Sequence, residues 1–298
     1  MSTKKWVRRS LRQLNKALGR LGFQAGYVTV GRLLKDMEFS LKGNRKAYSG
    51  PSHPDRDRQF RYIRRVKQLF VAAGHPVISV DAKKKELIGN FKNAGRTWCR
   101  EEKVVNVHDF PSDAEGRAVP YGIYDIVNNL GYVAVGTSAD TAEFAVDAIC
   151  WWLELEDRPT FLDETKLLIL CDAGGSNSCR FRLWKKQLQE RLADRLGIEV
   201  MVCHYPTGAS KWNPIERQLF SYISLNWAGK PLRSFETMLN YIRGTTTETG
   251  LTVEARLLDR EYEKKIKVSD QEMQALNLHR RRICPQWNYI IKPRSVIP

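Results

Sequence analysis

The chain's 298 residues are 42% hydrophobic, enough for one large core or two modest ones, and 49 Lys and Arg against 33 Asp and Glu leave a charge of +16. An excess of that size favours a polyanionic partner, because each phosphate neutralised releases condensed counterions; charge kept only for solubility is the plainer alternative. No apolar run approaches the roughly 20 residues of a spanning helix, no apolar stretch follows the basic start MSTKKWVRRS, and the six cysteines lack CxxC spacing, all of which points to a reducing, cytoplasmic chain with no membrane partner.

Residues 6–37 read as two short helices. Leu11, Leu14, Leu18 and Leu21 recur at helical spacing, and Gly22 is the expected stop. After a turn at Gly26, Thr29 is the expected cap of a second helix carrying Val30, Arg32, Leu33 and Leu34. Two short, basic helices around a tight turn suggest a helix-turn-helix; a hairpin that merely packs on the next domain is the alternative. Residues 40–60, polar and rich in Gly, Pro and Ser, read as a linker.

Strands dominate next. Residues 77–81 form a short apolar run, 87–91 its expected hairpin partner, and 104–108 a further candidate strand. Residues 121–136 read as strand, Asn-Asn-Leu-Gly turn, strand. Asp140 and Glu143 have capping-box spacing ahead of a helix carrying Phe144, Ala148 and Trp151. Residues 166–171 are continuously apolar, the pattern of a strand buried on both faces. A helix over 178–196, a strand over 199–205 and a helix opening at Asn213 follow. The tail after about residue 233 reads as helical and basic. The order gives an α/β fold with a mixed sheet. The expected domains are a helical DNA-binding region and linker (1–58), a catalytic domain (59–232) and a helical C-terminal extension (233–298).

Three acids stand out by position. Asp81 and Asp172 end apolar strands, and Glu216 lies in the first turn of a helix. Ligands gather outside the carboxyl ends of strands in open α/β sheets. Carboxylates converging there repel one another without a cation, and hard oxygen ligands suit Mg²⁺ or Mn²⁺. Two such ions about 4 Å apart activate a water and stabilise the leaving oxygen of a phosphodiester. Each acid also has a plainer reading: an Asp after a strand caps the next turn. Asn213 as N-cap, Pro214 and Glu216 make a sound helix start without metal.

Lys83, Lys84 and Lys85, beside Asp81, suit phosphate contacts or an exposed charged turn equally. Lys211 and Trp212 suit a DNA end by charge and stacking, although a Trp at a helix start is more often core. Arg32 is the candidate DNA contact of the second helix. His204, at a strand end, is a candidate general base, and Asp109 and Asp125 are spare carboxylates.

The segments VDAKKKELIGNFKNAGRTW, HDFP, PYGIYDIVNNLGYVAVGTSADTAEFAV, CDAGGSNSCRFRLWK and HYPTGASKWNPIERQLFSYIS resemble, in order, the DDE transposases of bacterial insertion sequences. The likeness is to the Rhodopirellula-type transposase family, a relative of the mariner-like group. It runs from TVGRLL and HPDRDRQF through TTTETGL to the closing WNY. The resemblance implies a ribonuclease-H-like mixed sheet flanked by helices, with Asp81, Asp172 and Glu216 as the metal-binding triad. It implies metal-dependent strand cleavage and strand transfer on double-stranded DNA, at element ends and target, by a protein that is a homodimer in its DNA complex. Family members usually carry more chain upstream, which implies a shortened DNA-binding region. The sequence departs from the family pattern at Thr207 and Ala209 (Pro and Thr in the pattern), at Arg217 (His) and at Ala173 (Gly). A catalytically inactive DNA-binding remnant or repressor, and a stand-alone ribonuclease-H-like nuclease, are the alternative functions.

Overall fold

The computed structural model describes residues 9–41 and 53–294 apart from 158, 162 and 164. The chain divides into two compact units, 1–51 and 52–298. Residues 6–8 of the first expected helix, and most of the expected linker, lie outside the described residues.

In the first unit, α1 (Leu11–Arg20) opens with a capping box. The Ser10 side chain accepts from the Gln13 amide, and the Gln13 side chain accepts from the Ser10 amide. Gly22, at φ 87°, takes the left-handed turn that ends it. The second helix, α2 (Tyr27–Asp36), starts two residues before the expected Thr29 cap; Gly26 is its N-cap, with no side-chain bond. Val30 is the buried residue of α2, while Leu21, Phe23, Val28 and Met37 remain exposed.

The second unit is built on a mixed sheet. After α3 (Arg56–Ala72) come β1 (Val77–Ala82), β2 (Glu86–Ile88), β3 (Gly116–Asp125) and β4 (Leu130–Gly136). Then follow α4 (Ala142–Leu153), β5 (Lys166–Asp172), α5 (Arg182–Gln187) and β6 (Glu199–Tyr205). The remainder is α6 (Ser221–Asn226), α7 (Phe235–Arg243), β7 (Thr252–Leu258), α8 (Asp270–Gln274), β8 (Leu278–Arg280) and β9 (Asn288–Ile291). Strand order is β7-β4-β3-β1-β5-β6-β9-β8, with β2 paired to β3. Central β1 is antiparallel to β3 and parallel to β5, which is parallel to β6.

Helices cover both faces. Alternate residues of β1 face opposite ways, as the strand period requires. Ile78 and Val80 pack with α4, Trp184 and Leu188, whereas Val77 packs with Ile63 and Val66 of α3. A third cluster joins Val133 and Val135 of β4 to Ile215, Leu219 and Phe220 and to Met238 of α7. Each large side chain so buried contributes about 1.5–3 kcal/mol.

Several elements differ from the sequence reading. The 87–91 run pairs with β3 rather than β1, and only at Leu87 and Ile88. Residues 104–108 form no strand, and Val104 and Val107 are exposed, so no core rewards their extension. Thr141, not Asp140, caps α4 by accepting from the Phe144 amide. The 178–196 helix begins only at Arg182 and continues through a π-helical segment, Leu188–Asp194. The segment expected to be helical after 233 keeps α7 and α8 but also supplies β7, β8 and β9. β7 pairs along its length with β4, and β9 with β6.

Candidate active site

Asp81 and Asp172 lie at the carboxyl ends of neighbouring parallel strands. In register, Val80 faces Cys171, one residue before each acid. Glu216 opens a π-helical segment, Glu216–Phe220, inside the helix that runs on into α6. Ile215, Leu219 and Phe220 bury that helix against the sheet. Such π-turns recur at functional positions because they displace side chains from regular helical register.

One buried amide joins the three elements. Asn213, fully buried, donates through Nδ2 to Asp172 Oδ1 at 3.2 Å and to the Val80 carbonyl at 3.4 Å. Its Oδ1 accepts from Ser79 Oγ, and Ser79 Oγ in turn accepts from the Ile215 amide at 3.2 Å. The expected cap of the Glu216 helix by the Asn213 side chain is therefore not formed. Ser79 of β1 satisfies the free amide at the helix start, and Asn213 turns inward to Asp172.

The three acids share one electrostatic neighbourhood. Burial, then the charge of Asp172, then those of Glu216 and Asp140, push the Asp81 carboxyl up to about 8, against the pull of the Ala82 amide. Burial and Glu216 push Asp172 up to about 6, opposed by the Asn213 hydrogen bond. Burial raises Glu216, while Lys83 acts to lower it. Uncompensated negative charge from hard oxygen donors is the environment a divalent cation fits. Among the described residues no group of three or more His, Cys, Asp or Glu side chains is placed so that it could hold a metal ion.

The remaining sequence-derived residues separate. Lys83 is half-buried, 3.4 Å from Glu86 and 4.7 Å from the Trp227 ring centre, with its charge acting on Glu216. Lys84 and Lys85 are exposed. Lys211 and Trp212 are also exposed, with Trp212 edge-on to Phe60 and stacked under Lys211. Arg32 is exposed on α2 of the first unit.

His204 is no general base. It is fully buried and held at both ring nitrogens, and burial lowers its pKa to about 4. Asp125 is spent on its turn, accepting from the Val127 and Asn128 amides, and its register with Ile78 puts it at the far end of β1 from Asp81. Asp109 is exposed on a loop. The sequence reading missed Ser79 and Asn213 as a linked pair, and gave Asp140 to a cap. Asp140 instead faces Asp81 electrostatically.

The large mixed sheet thus has acids at the ends of two neighbouring parallel strands and a third acid on a later helix. The chain matches the family model described as the Rhodopirellula transposase DDE domain over residues 1–293, and it belongs to that family of transposases. Among solved structures it is similar to a Mos1 transposase paired-end complex with the left transposon end (13% identity, TM-score 0.43, 81% of this chain and 72% of that one). It is also similar to a Mos1 strand transfer complex (13%, 0.46, 81% and 71%) and to a mariner Mos1 paired-end complex with Mg (14%, 0.49, 79% and 66%). No curated protein matches it. Among the described residues no helix is long and apolar enough to cross a membrane.

Proposed function

We propose that this transposase nicks double-stranded DNA at insertion-sequence ends and joins the freed 3′-hydroxyl to target DNA, with Asp81, Asp172 and Glu216 holding Mg²⁺ or Mn²⁺. The observation that carries the reading is the buried Asn213–Ser79 link, which ties Asp172, and the strand that ends at Asp81, to the start of the Glu216 helix. Bound there, two divalent ions would lower the pKa of an attacking water and stabilise the leaving 3′-oxygen.

The chain's own residues prepare that site. Asn213 holds one oxygen of Asp172 and leaves the other for a cation. Lys83, pinned between Glu86 and Trp227, supplies a positive charge beside Glu216 and suits a substrate phosphate. Exposed Trp212 and Lys211, four and five residues before Glu216, suit a DNA end by stacking and charge. The net charge of +16 supports binding along the DNA backbone.

In this reading residues 1–58, with Arg32, read the element end, 59–232 carry out the chemistry and 233–298 brace it, in a homodimer on DNA. The test is labelled DNA carrying the native element ends, incubated with the protein and Mg²⁺ or Mn²⁺ and scored for nicks and joined products. Nicking without joining would make the chain a nuclease. Binding without either product would make it an inactive remnant.

A further inference from the structure

Behind Asp172, on the sheet face that α4 and α5 cover, three fully buried side chains form a hydrogen-bonded column. Trp184 Nε1 donates to Tyr289 Oη at 2.9 Å, and Tyr289 Oη lies 3.1 Å from His204 Nε2. His204 Nδ1 lies 2.9 Å from the backbone oxygen of Asp172. Both ends of the column have fixed polarity, since an indole N–H can only donate and a peptide carbonyl can only accept. One proton arrangement satisfies both: Tyr289 accepts from Trp184 and donates to Nε2, and Nδ1–H donates to the Asp172 carbonyl. The Cys171 thiol, 3.3 Å from the same Nδ1, would donate to it only in the other tautomer, which sets the Nδ1 lone pair against the Asp172 carbonyl at 2.9 Å; a weak S–H donor does not offset that.

Nothing in the column is loose. Val202 pairs with Tyr289 in the β6–β9 register. Gln59 of α3 donates to the His204 carbonyl at 2.9 Å and exchanges amide bonds of 2.7 and 2.6 Å with Asn288, next to Tyr289.

We propose that Tyr289, acting through His204, is a positioning residue for Asp172. It locks His204 as the Nδ1–H tautomer, which fixes the Asp172 carbonyl and so aims the carboxylate at Asp81 and Glu216. Asn213 holds the side chain of Asp172 and His204 holds its main chain, so the acid is gripped from both faces of the sheet. The C-terminal strand β9 is thereby part of the catalytic apparatus. The inference rests on Asp172 being a metal ligand.

The test uses the full chain with ¹⁵N-labelled histidine. Wild type should show His204 protonated at Nδ1 and bare at Nε2, with an Nε2 shift that marks the hydrogen bond from Tyr289, and Tyr289→Phe should lose that mark. Tyr289→Phe should also weaken Mn²⁺ binding, followed by electron paramagnetic resonance, and Mg²⁺-dependent nicking, each by about 10- to 100-fold. His204→Asn, whose amide nitrogen takes the place of Nδ1, should retain more of both than His204→Gln. A wild-type Nε2–H tautomer would overturn the proposal, as would equal losses in the Asn and Gln variants. So would unchanged Mn²⁺ binding in a folded Tyr289→Phe protein. If that variant does not fold, the wild-type tautomer and the Asn–Gln order still decide. Asp172→Asn, run alongside, separates the two readings: full Mn²⁺ binding and nicking there would remove Asp172 as a ligand while leaving the tautomer result standing.

Discussion

Gly122 of β3 stands directly opposite Asp81 of β1, and a methyl group built on it would lie 2.5 Å from Phe220 and 2.8 Å from Ile215. The helix that carries Glu216 thus sits on the sheet at the one strand position beside Asp81 that has no side chain. Packing on Gly122 and the Ser79 hydrogen bond to the Ile215 amide both seat that helix on the sheet.

Asn213 is the hydrogen-bonded control. Asn213→Ala removes the Asp172 contact and leaves Ser79 Oγ without its buried acceptor, at a cost of about 1–3 kcal/mol. Asn213→Asp keeps the shape but sets a second carboxylate against Asp172. Thermal melts and nicking assays should show the Ala variant less stable and slower. The Asp variant should require more Mg²⁺ than wild type. Wild-type nicking in both would remove Asn213 from the site.

Asp81→Asn should abolish nicking and raise the stability of the metal-free protein. The folded Asp81 carboxyl titrates near 8, against about 3.9 for an unfolded Asp. Stability associated with the protonated form is present below pH 4 and is lost as pH rises from there through 8, because the folded state then holds the proton that the unfolded state has released. Denaturant melts in chelator between pH 5 and 8 should therefore show a steeper fall for wild type than for Asp81→Asn. Parallel curves would place Asp81 outside the shared electrostatic site.

Glu216→Gln tests the third acid without the complication of a cap. The Asn213–Glu216 capping box expected from sequence is absent, so the amide substitution has little helix stability to lose. Melting should shift by no more than about 0.5 kcal/mol, as for an ordinary surface change. Nicking should fall by orders of magnitude, since a neutral amide is a poor ligand for a divalent cation. An active Glu216→Gln enzyme would leave the third ligand open, with Asp140 as the first replacement to test.

What was legible in the sequence follows from which pattern has a local cause. β1 and β5 are continuous apolar runs that end in Asp, and burial on both faces is the only environment that such runs suit. The sheet's C-terminal strands carried a signal as well. Thr252–Leu258 alternates exposed and buried residues with period two, yet Glu254 and Arg256 on its outer face make it read as a basic helix. Asn213 misled for another reason. Asn-Pro-Ile-Glu satisfies every local rule for a helix cap, and only the approach of Ser79, 134 residues earlier in the chain, diverts its side chain. The same holds for His204, whose role depends on a strand that begins at Asn288. Local patterns reveal elements, whereas the polar links between elements depend on contacts that no window of sequence contains.

Gly122→Ala tests the packing control. The added methyl has nowhere to go, because Phe220 and Ile215 are both buried against the sheet. Overpacking of this kind costs about 1–3 kcal/mol and is relieved by moving a neighbour. The neighbour here is the helix that flanks Glu216 on both sides, so nicking should drop further than the stability loss alone explains. Gly136→Ala is the matched comparison. Its methyl would meet Phe144 of α4 at 2.9 Å, on the opposite face of the sheet. It should lower the melting temperature by a similar amount and leave Mg²⁺-dependent nicking by the folded protein near wild type. Equal losses of nicking in the two variants, measured well below both melting temperatures, would mean that the seating of the Glu216 helix on Gly122 does not set the geometry of the acids.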